Sequence, residues 1–128
     1  MLAVLFLAVS CHIPNGRQAS DEDLIMLLDK SKQYLQGSPF HPDSGLMILH
    51  ALLPQQQGED QTSNRGKILN FIGVAYDMKG MYDSAAYYLY EASRLAEKLQ
   101  YDSLQMSVFS NLGILQFDLQ NADEAIQY

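Results

Sequence analysis

Residues 69–92 have the sequence LNFIGVAYDMKGMYDSAAYYLYEA, and the pattern of this stretch returns forty residues later. Gly73 is matched by Gly113, and Leu69 is matched by Phe109. A period of this length is typical of helical repeat arrays, in which each pair of helices buries its apolar face against the neighbouring pair. A further column with the same spacing is formed by Asp43, Asp83 and Asp123.

The spacing of apolar residues predicts helices throughout the chain after residue 19. After Asp83, apolar residues recur every three or four positions without a break, which is the period of an amphipathic helix. Gly80 precedes that segment and suits the left-handed end of the helix before it. No segment has the alternating pattern of a strand. We therefore expect an all-α fold of five helices and the start of a sixth, which begin near Ser20, Pro42, Asn64, Asp83, Asp102 and Asp123.

The quoted stretch resembles the tetratricopeptide repeat along its whole signature. The next copy is weaker, because Gln116 and Gln120 stand where the first has a tyrosine and the turn glycine. The resemblance implies antiparallel helix-turn-helix units stacked as an α-α superhelix; a HEAT-type array is the alternative. The family's usual period is about 34, so a period of forty predicts a second helix lengthened through 94–100. The signature residues are Leu69, Ile72, Gly73, Tyr76, Gly80, Tyr82, Ala85, Leu89 and Ala92.

The small and aromatic residues of this signature have predicted packing roles. Glycine and alanine allow two helices to approach closely, and tyrosines fill the wedge between helix pairs. The predicted packing positions are Gly73, Tyr76, Tyr82, Ala85, Gly113 and Ala125.

The amino terminus resembles a bacterial lipoprotein signal. The first nine residues are apolar, and small residues at Ala8 and Ser10 suit cleavage before Cys11, the only cysteine of the chain. We expect 1–10 to be a signal peptide and Cys11 to carry lipid at the start of a tether, 11–19. A signal that is cleaved without lipidation, a truncated membrane helix, and a buried apolar segment with a chance cysteine are the alternatives.

The charge of the chain argues against nucleic acid as a partner. The net charge is −7, and no lysine or arginine follows Leu99. Binding to phosphate depends on basic side chains that displace counterions. The histidines His12, His41 and His50 lack the spacing of a helical zinc site. No catalytic motif stands out, so we expect neither an enzyme nor a cofactor nor a metal.

Binding in a groove is what the resemblance implies instead. In this family the first helices of successive repeats line a concave surface, where Asn70 and Asn111 would pair with a peptide backbone. The basic clamp of chaperone-binding members is absent, because Lys67 alone carries positive charge there. The predicted groove residues are Lys67, Asn70, Val74, Asp77, Ser107, Ser110, Asn111, Ile114 and Phe117.

These features together predict an interaction scaffold that binds a protein or peptide. It would lie in the bacterial envelope, periplasmic or outer-membrane, held to the membrane by a lipid anchor, similar to envelope proteins of the Bacteroidota type. The alternative is the extracytoplasmic sensory segment of a larger membrane-bound transcriptional regulator or histidine kinase. We expect the repeat domain, 20–128, to be incomplete at its carboxyl end and able to self-associate there.

Overall fold

The computed structural model describes residues 20–37, 41–58 and 62–126, and within these ranges the chain is all-helical. The predicted all-α class is therefore confirmed, while the predicted superhelical stacking stays a prediction. The predicted signal, the tether and Cys11 lie outside the described residues. The helices are α1 (Asp21–Gln36), α2 (Pro42–Leu52), α3 (Thr62–Met78), α4 (Tyr82–Leu99) and α5 (Asp102–Ile126), with a 3-10 turn, Leu53–Gln55, after α2.

Helix α1 begins at a reciprocal cap. The Ser20 hydroxyl accepts a hydrogen bond from the Asp23 amide at 3.2 Å, and the Asp23 carboxylate accepts one from the Ser20 amide at 3.2 Å. Two otherwise unpaired groups are satisfied in this way, and a cap of this type contributes about 1 kcal/mol. The predicted helix start at Ser20 is confirmed.

Two left-handed residues produce the turns on either side of α4. Gly80 ends α3 with a φ of 72°, a conformation that glycine adopts without steric cost. The Met81 amide then donates to the Tyr76 carbonyl at 2.9 Å, which satisfies the open end of the helix. Gln100, with a φ of 51°, plays the same part after α4. Helix α4 extends to Leu99, as its predicted lengthening requires.

Consecutive helices pack against each other, and α3 also contacts both α1 and α5. One apolar cluster joins α1, α2 and α3, and a second joins α3, α4 and α5. A third, between α4 and α5, places Ala85 and Leu89 against Leu115. The second cluster consists of Leu69, Ala92, Ala96, Leu104 and Val108.

The contact between α3 and α4 depends on a missing side chain. A Cβ atom added to Gly73 would lie 2.6 Å from Leu89 Cγ, closer than carbon atoms can approach. Tyr76 covers the neighbouring surface, where its ring stacks on Tyr88 at 5.5 Å between centroids. Its hydroxyl lies 3.1 Å from Nε2 of His50 on α2. Tyr82 packs against the third cluster.

The prediction of a sixth helix near Asp123 is wrong. Helix α5 continues without a break from Asp102 to Ile126, so the chain does not turn at Gln120. The reason is local, because α3 ends at a glycine in the left-handed region, whereas Gln120 and its neighbours are residues that a helix accommodates. The side chain of Ala125 is outside the described residues, so its predicted packing role stays a prediction.

Candidate groove between α3 and α5

Helices α3 and α5 lie side by side and run in the same direction. Lys67 lies beside Tyr101, which directly precedes α5. Further along α3, the Asn70 side chain forms a hydrogen bond with Ser107, which lies further along α5. Because residue numbers rise together on both helices, the two are parallel. We call the surface between them the α3–α5 groove. It contains two pockets and a set of polar side chains that bond across it.

A ladder of three polar side chains crosses the middle of the groove. The Asn111 amide donates to Oδ1 of Asn70 at 2.9 Å, and Nδ2 of Asn70 donates to the Ser107 hydroxyl at 3.0 Å. Asn70 is only 4% exposed and has both ends of its amide engaged. Ser107 is exposed and Asn111 is partly buried. Within the described ranges, Asn111 uses one N–H in this ladder and retains its carbonyl oxygen and its second N–H for other partners.

The first pocket lies at the amino-terminal end of α5 and is rich in hydrogen-bond donors. The Lys67 ammonium stands 5.5 Å from the centre of the Tyr101 ring. A hydrogen bond with Ser103 and the charge of Lys67 lower the pKa of the Tyr101 hydroxyl. The pocket has a volume of about 190 Å³ and is lined by Lys67, Asn70, Phe71, Tyr101, Ser103, Leu104 and Ser107.

The second pocket lies further along both helices and is acidic. Burial raises the pKa of Asp77, and the charge and hydrogen bonding of Asp118 raise it further. Within the described ranges, the buried Oδ1 atom of Asp77 has no hydrogen-bond partner. The volume is about 230 Å³, and the lining consists of Val74, Asp77, Met78, Leu89, Asn111, Ile114 and Asp118.

The lysine nearest to this pocket in sequence is occupied elsewhere. Lys79 forms an ion pair with Asp43 on α2. No basic side chain lines the second pocket. The two carboxylates therefore stand as a like-charge pair with apolar side chains around them, an arrangement that a bound cation would relieve.

Seven of the nine predicted groove residues line one pocket or the other. Ser110 and Phe117 are exposed on α5 and line neither. Sequence reasoning missed Asp118, although a signal was present, because Asp118 follows Asp77 by 41 residues, as Asn111 follows Asn70. These two pairs thus have a spacing of 41, while the glycine column has one of forty. The other missed lining residues are Phe71, Tyr101, Ser103, Leu104, Met78 and Leu89.

The two histidines of the described ranges, His41 and His50, pack against tyrosine rings. His50 packs edge-on against Tyr76 and Tyr88, and His41 packs against Tyr34. Among the residues that the structure describes, no three histidine, cysteine or acidic side chains are grouped as metal ligands would be. None of the described helices combines the length and apolar character needed to cross a membrane.

Comparison with known proteins adds no relative to this picture. No protein-family model, curated protein or solved structure matches the chain. The shape and charge of the α3–α5 groove are therefore the main structural indications of function.

Proposed function

We propose that this chain is a non-catalytic interaction scaffold of the tetratricopeptide type, which binds a peptide or a segment of a protein in the α3–α5 groove. The observation that supports the proposal is the pair of pockets on two parallel helices, with the polar ladder of Asn70, Ser107 and Asn111 along the same surface. Clefts with apolar walls and a few converging polar groups are the usual form of binding sites.

The superhelical part of the proposal rests on the packing of α3 and α4. Close approach at Gly73 and the fully buried Ala85 are what stacked helix pairs of this family need. The left-handed turn at Gly80 returns α4 along α3. Parallel placement of α3 and α5 is the relation between first helices of successive repeats, and such arrays present extended concave surfaces.

Peptide selection tests where binding occurs. Random dodecapeptides displayed on phage would be selected against the full chain, and each selected peptide would be measured by fluorescence anisotropy. Ile114 lines the acidic pocket and is 51% exposed, so a lysine there places an ammonium group beside Asp77 and Asp118 without disturbing the core. We expect Ile114→Lys to weaken binding about tenfold or more, a loss of at least about 1.4 kcal/mol.

The matched control is Ile25→Lys, at an isoleucine of α1 that is 61% exposed and lines neither pocket. This variant has the same change in charge and should bind as the parent does. Equal weakening by both variants, or peptides that bind Ile114→Lys normally, would contradict binding in the groove.

We further propose that the chain is exported and held in a bacterial envelope by lipid on Cys11. The support is the position of the only cysteine directly after an apolar run and a small-residue cleavage site. Growth of an expressing bacterium with a labelled fatty acid should label the parent protein but not Cys11→Ser. Labelling of both proteins, or of neither, would be evidence against the anchor.

A further inference from the structure

The two pockets of the α3–α5 groove have opposite chemical character. The first presents the positive charge of the Lys67 ammonium, together with hydroxyl groups of Tyr101 and Ser103 that are able to donate hydrogen bonds. The second presents the carboxylates of Asp77 and Asp118, which accept them. A ligand that fills both pockets must therefore carry opposite charges at its two ends.

We propose that the groove selects an extended peptide segment with a carboxylate at one end and a lysine or arginine at the other. This inference rests on the proposed function and names the chemistry of the ligand. The carboxylate would bind at Lys67, and the basic side chain at Asp77 and Asp118. The backbone between them would pass over Asn111, whose free amide groups can meet a peptide N–H and C=O.

The acidic pocket suits a long basic side chain more than a small ion. Its two carboxylates stand among apolar groups of Val74, Met78 and Ile114. Lysine and arginine bury an alkyl stem along apolar surface while their charged group stays at a polar position. A bound ammonium or guanidinium would also offset the repulsion between the two acids, which no side chain of the pocket does.

The length of the groove sets the spacing of the two charges. Lys67 and Asp77 are ten residues apart on α3, since 77−67 is 10. At about 1.5 Å per helical residue this is roughly 15 Å. An extended peptide advances about 3.3 Å per residue, so the charges should be about four to five residues apart.

Four capped hexapeptides test the charge pattern directly. Lys-Thr-Val-Thr-Val-Glu and its reversed sequence, Glu-Val-Thr-Val-Thr-Lys, place the two charges five positions apart in either backbone direction. Peptides with lysine at both ends or with glutamate at both ends are the comparisons. Binding to the full chain would be followed by amide NMR shifts, and we expect one mixed peptide to bind about tenfold more tightly than either comparison.

Replacing charged residues of the protein shows which pocket binds each end of the peptide. The double variant Asp77→Asn with Asp118→Asn should bind the preferred mixed peptide no better than the peptide with two glutamates. Lys67→Gln should lose affinity for the mixed peptide and keep its affinity for the peptide with two lysines. Exposed groups outside the groove supply the controls, Asp83→Asn and Lys98→Gln, which should change neither affinity.

The outcomes separate this inference from the proposed function. If the peptide with two lysines binds as tightly as the mixed ones, attraction to a chain of net charge −7 explains the binding and the inference is wrong. Phage-selected peptides that require Ile114 but lack the two charges would also overturn it, while the scaffold function would stand. Circular dichroism of each variant identifies any that fails to fold, and the four-peptide comparison on the parent chain still decides.

Discussion

Helices α3 and α5 carry the same repeat pattern forty residues apart, yet two of its matched positions lie in opposite environments. Leu69 is 4% exposed, whereas its counterpart Phe109 is 53% exposed. A Cβ atom on Gly73 would collide with Leu89, whereas one on Gly113 would have no neighbour within 4 Å. The difference arises because α4 covers this face of α3, while no other described part of the chain covers it on α5. The repeat signature therefore describes a contact between two helices. A helix that carries the signature buries these positions only where a neighbouring helix covers them.

The largest effect should come from overfilling the buried face of α4. Ala85 is fully buried in the third apolar cluster, which includes Leu115 of α5 and is covered by Tyr76 of α3, so Ala85→Leu forces α4 away from its neighbours. Overpacking of this kind typically costs about 1–3 kcal/mol. Chemical denaturation of the parent and the variant measures the loss.

The control for size and hydrophobicity is Ala51→Leu, at an exposed alanine of α2. This change should leave the free energy of unfolding within about 0.5 kcal/mol of the parent, as surface substitutions usually do. An Ala85→Leu variant that is as stable as the control would contradict the repeat alignment.

A smaller effect, but a sharper comparison, comes from adding one methyl group to each of the two equivalent glycines. Gly73→Ala places Cβ 2.6 Å from Leu89 Cγ and 3.2 Å from the Leu89 amide nitrogen, so the helices must shift and stability falls by about 1–2 kcal/mol. Gly113→Ala meets no atom, and alanine stabilises a helix interior by about 0.5–1 kcal/mol over glycine. Thermal unfolding should therefore shift in opposite directions. A loss of stability in both variants would show that the face of α5 is covered in solution.

The sequence allowed the limits of α4 to be predicted better than those of α5. The limits of α4 followed from a glycine turn and a continuous apolar stripe, and both signals act through the nearest neighbours in the chain. The length of α5 did not follow, because the repeat column at Asp123 indicated a helix start that no turn residue supports. Where periodicity and local turn chemistry disagreed, the local chemistry was the better guide.

The groove shows the corresponding limit for a site. Lys67, Val74 and Asp77 could be placed there from the repeat alone, because helical spacing puts them on one face. The acid pair could not, since the approach of Asp118 to Asp77 depends on how far α5 slides along α3. Asn70 bonds both Ser107 and Asn111, which follow it by 37 and 41 residues, so it lies between these two positions of α5. The repeat pattern, with its spacing of forty, does not specify that placement.

The exposed face of α5 should make that helix the less protected one. Hydrogen exchange of the full chain should be faster over Asp102–Ile126 than over Thr62–Leu99, or the protein should associate with increasing concentration, because an open apolar face favours fraying or self-contact. Sedimentation at several protein concentrations distinguishes self-association from fraying of the helix. Phe109→Gln should reduce any association and Met47→Gln, exposed on α2, should not. A monomer whose α5 is as protected as α3 would contradict this prediction.

The smallest effect concerns the acid pair and depends on pH. Burial and Asp118 raise the pKa of Asp77 in the folded chain above its unfolded value, so the folded state binds the proton more tightly. Stability then falls as pH rises from the unfolded pKa, near 4, through the raised folded value, and the penalty is complete above it. Asp77→Asn removes the charge and should increase the free energy of unfolding at pH 7. The increase should shrink as pH falls towards about 4.

The gain should be below about 1 kcal/mol, because the pair is partly exposed and screened by water. Asp83→Asn serves as its control; this acid lies in the first turn of α4, where a negative charge favours the helix, so no gain is expected. If the pair serves binding, Asp77→Asn must stabilise the fold and at the same time weaken the lysine-bearing peptide. Residues that only support the fold lose stability when they are replaced, whereas binding groups are often kept at a cost to stability. An Asp77→Asn variant that is less stable than the parent at pH 7 would assign the pair to the fold instead.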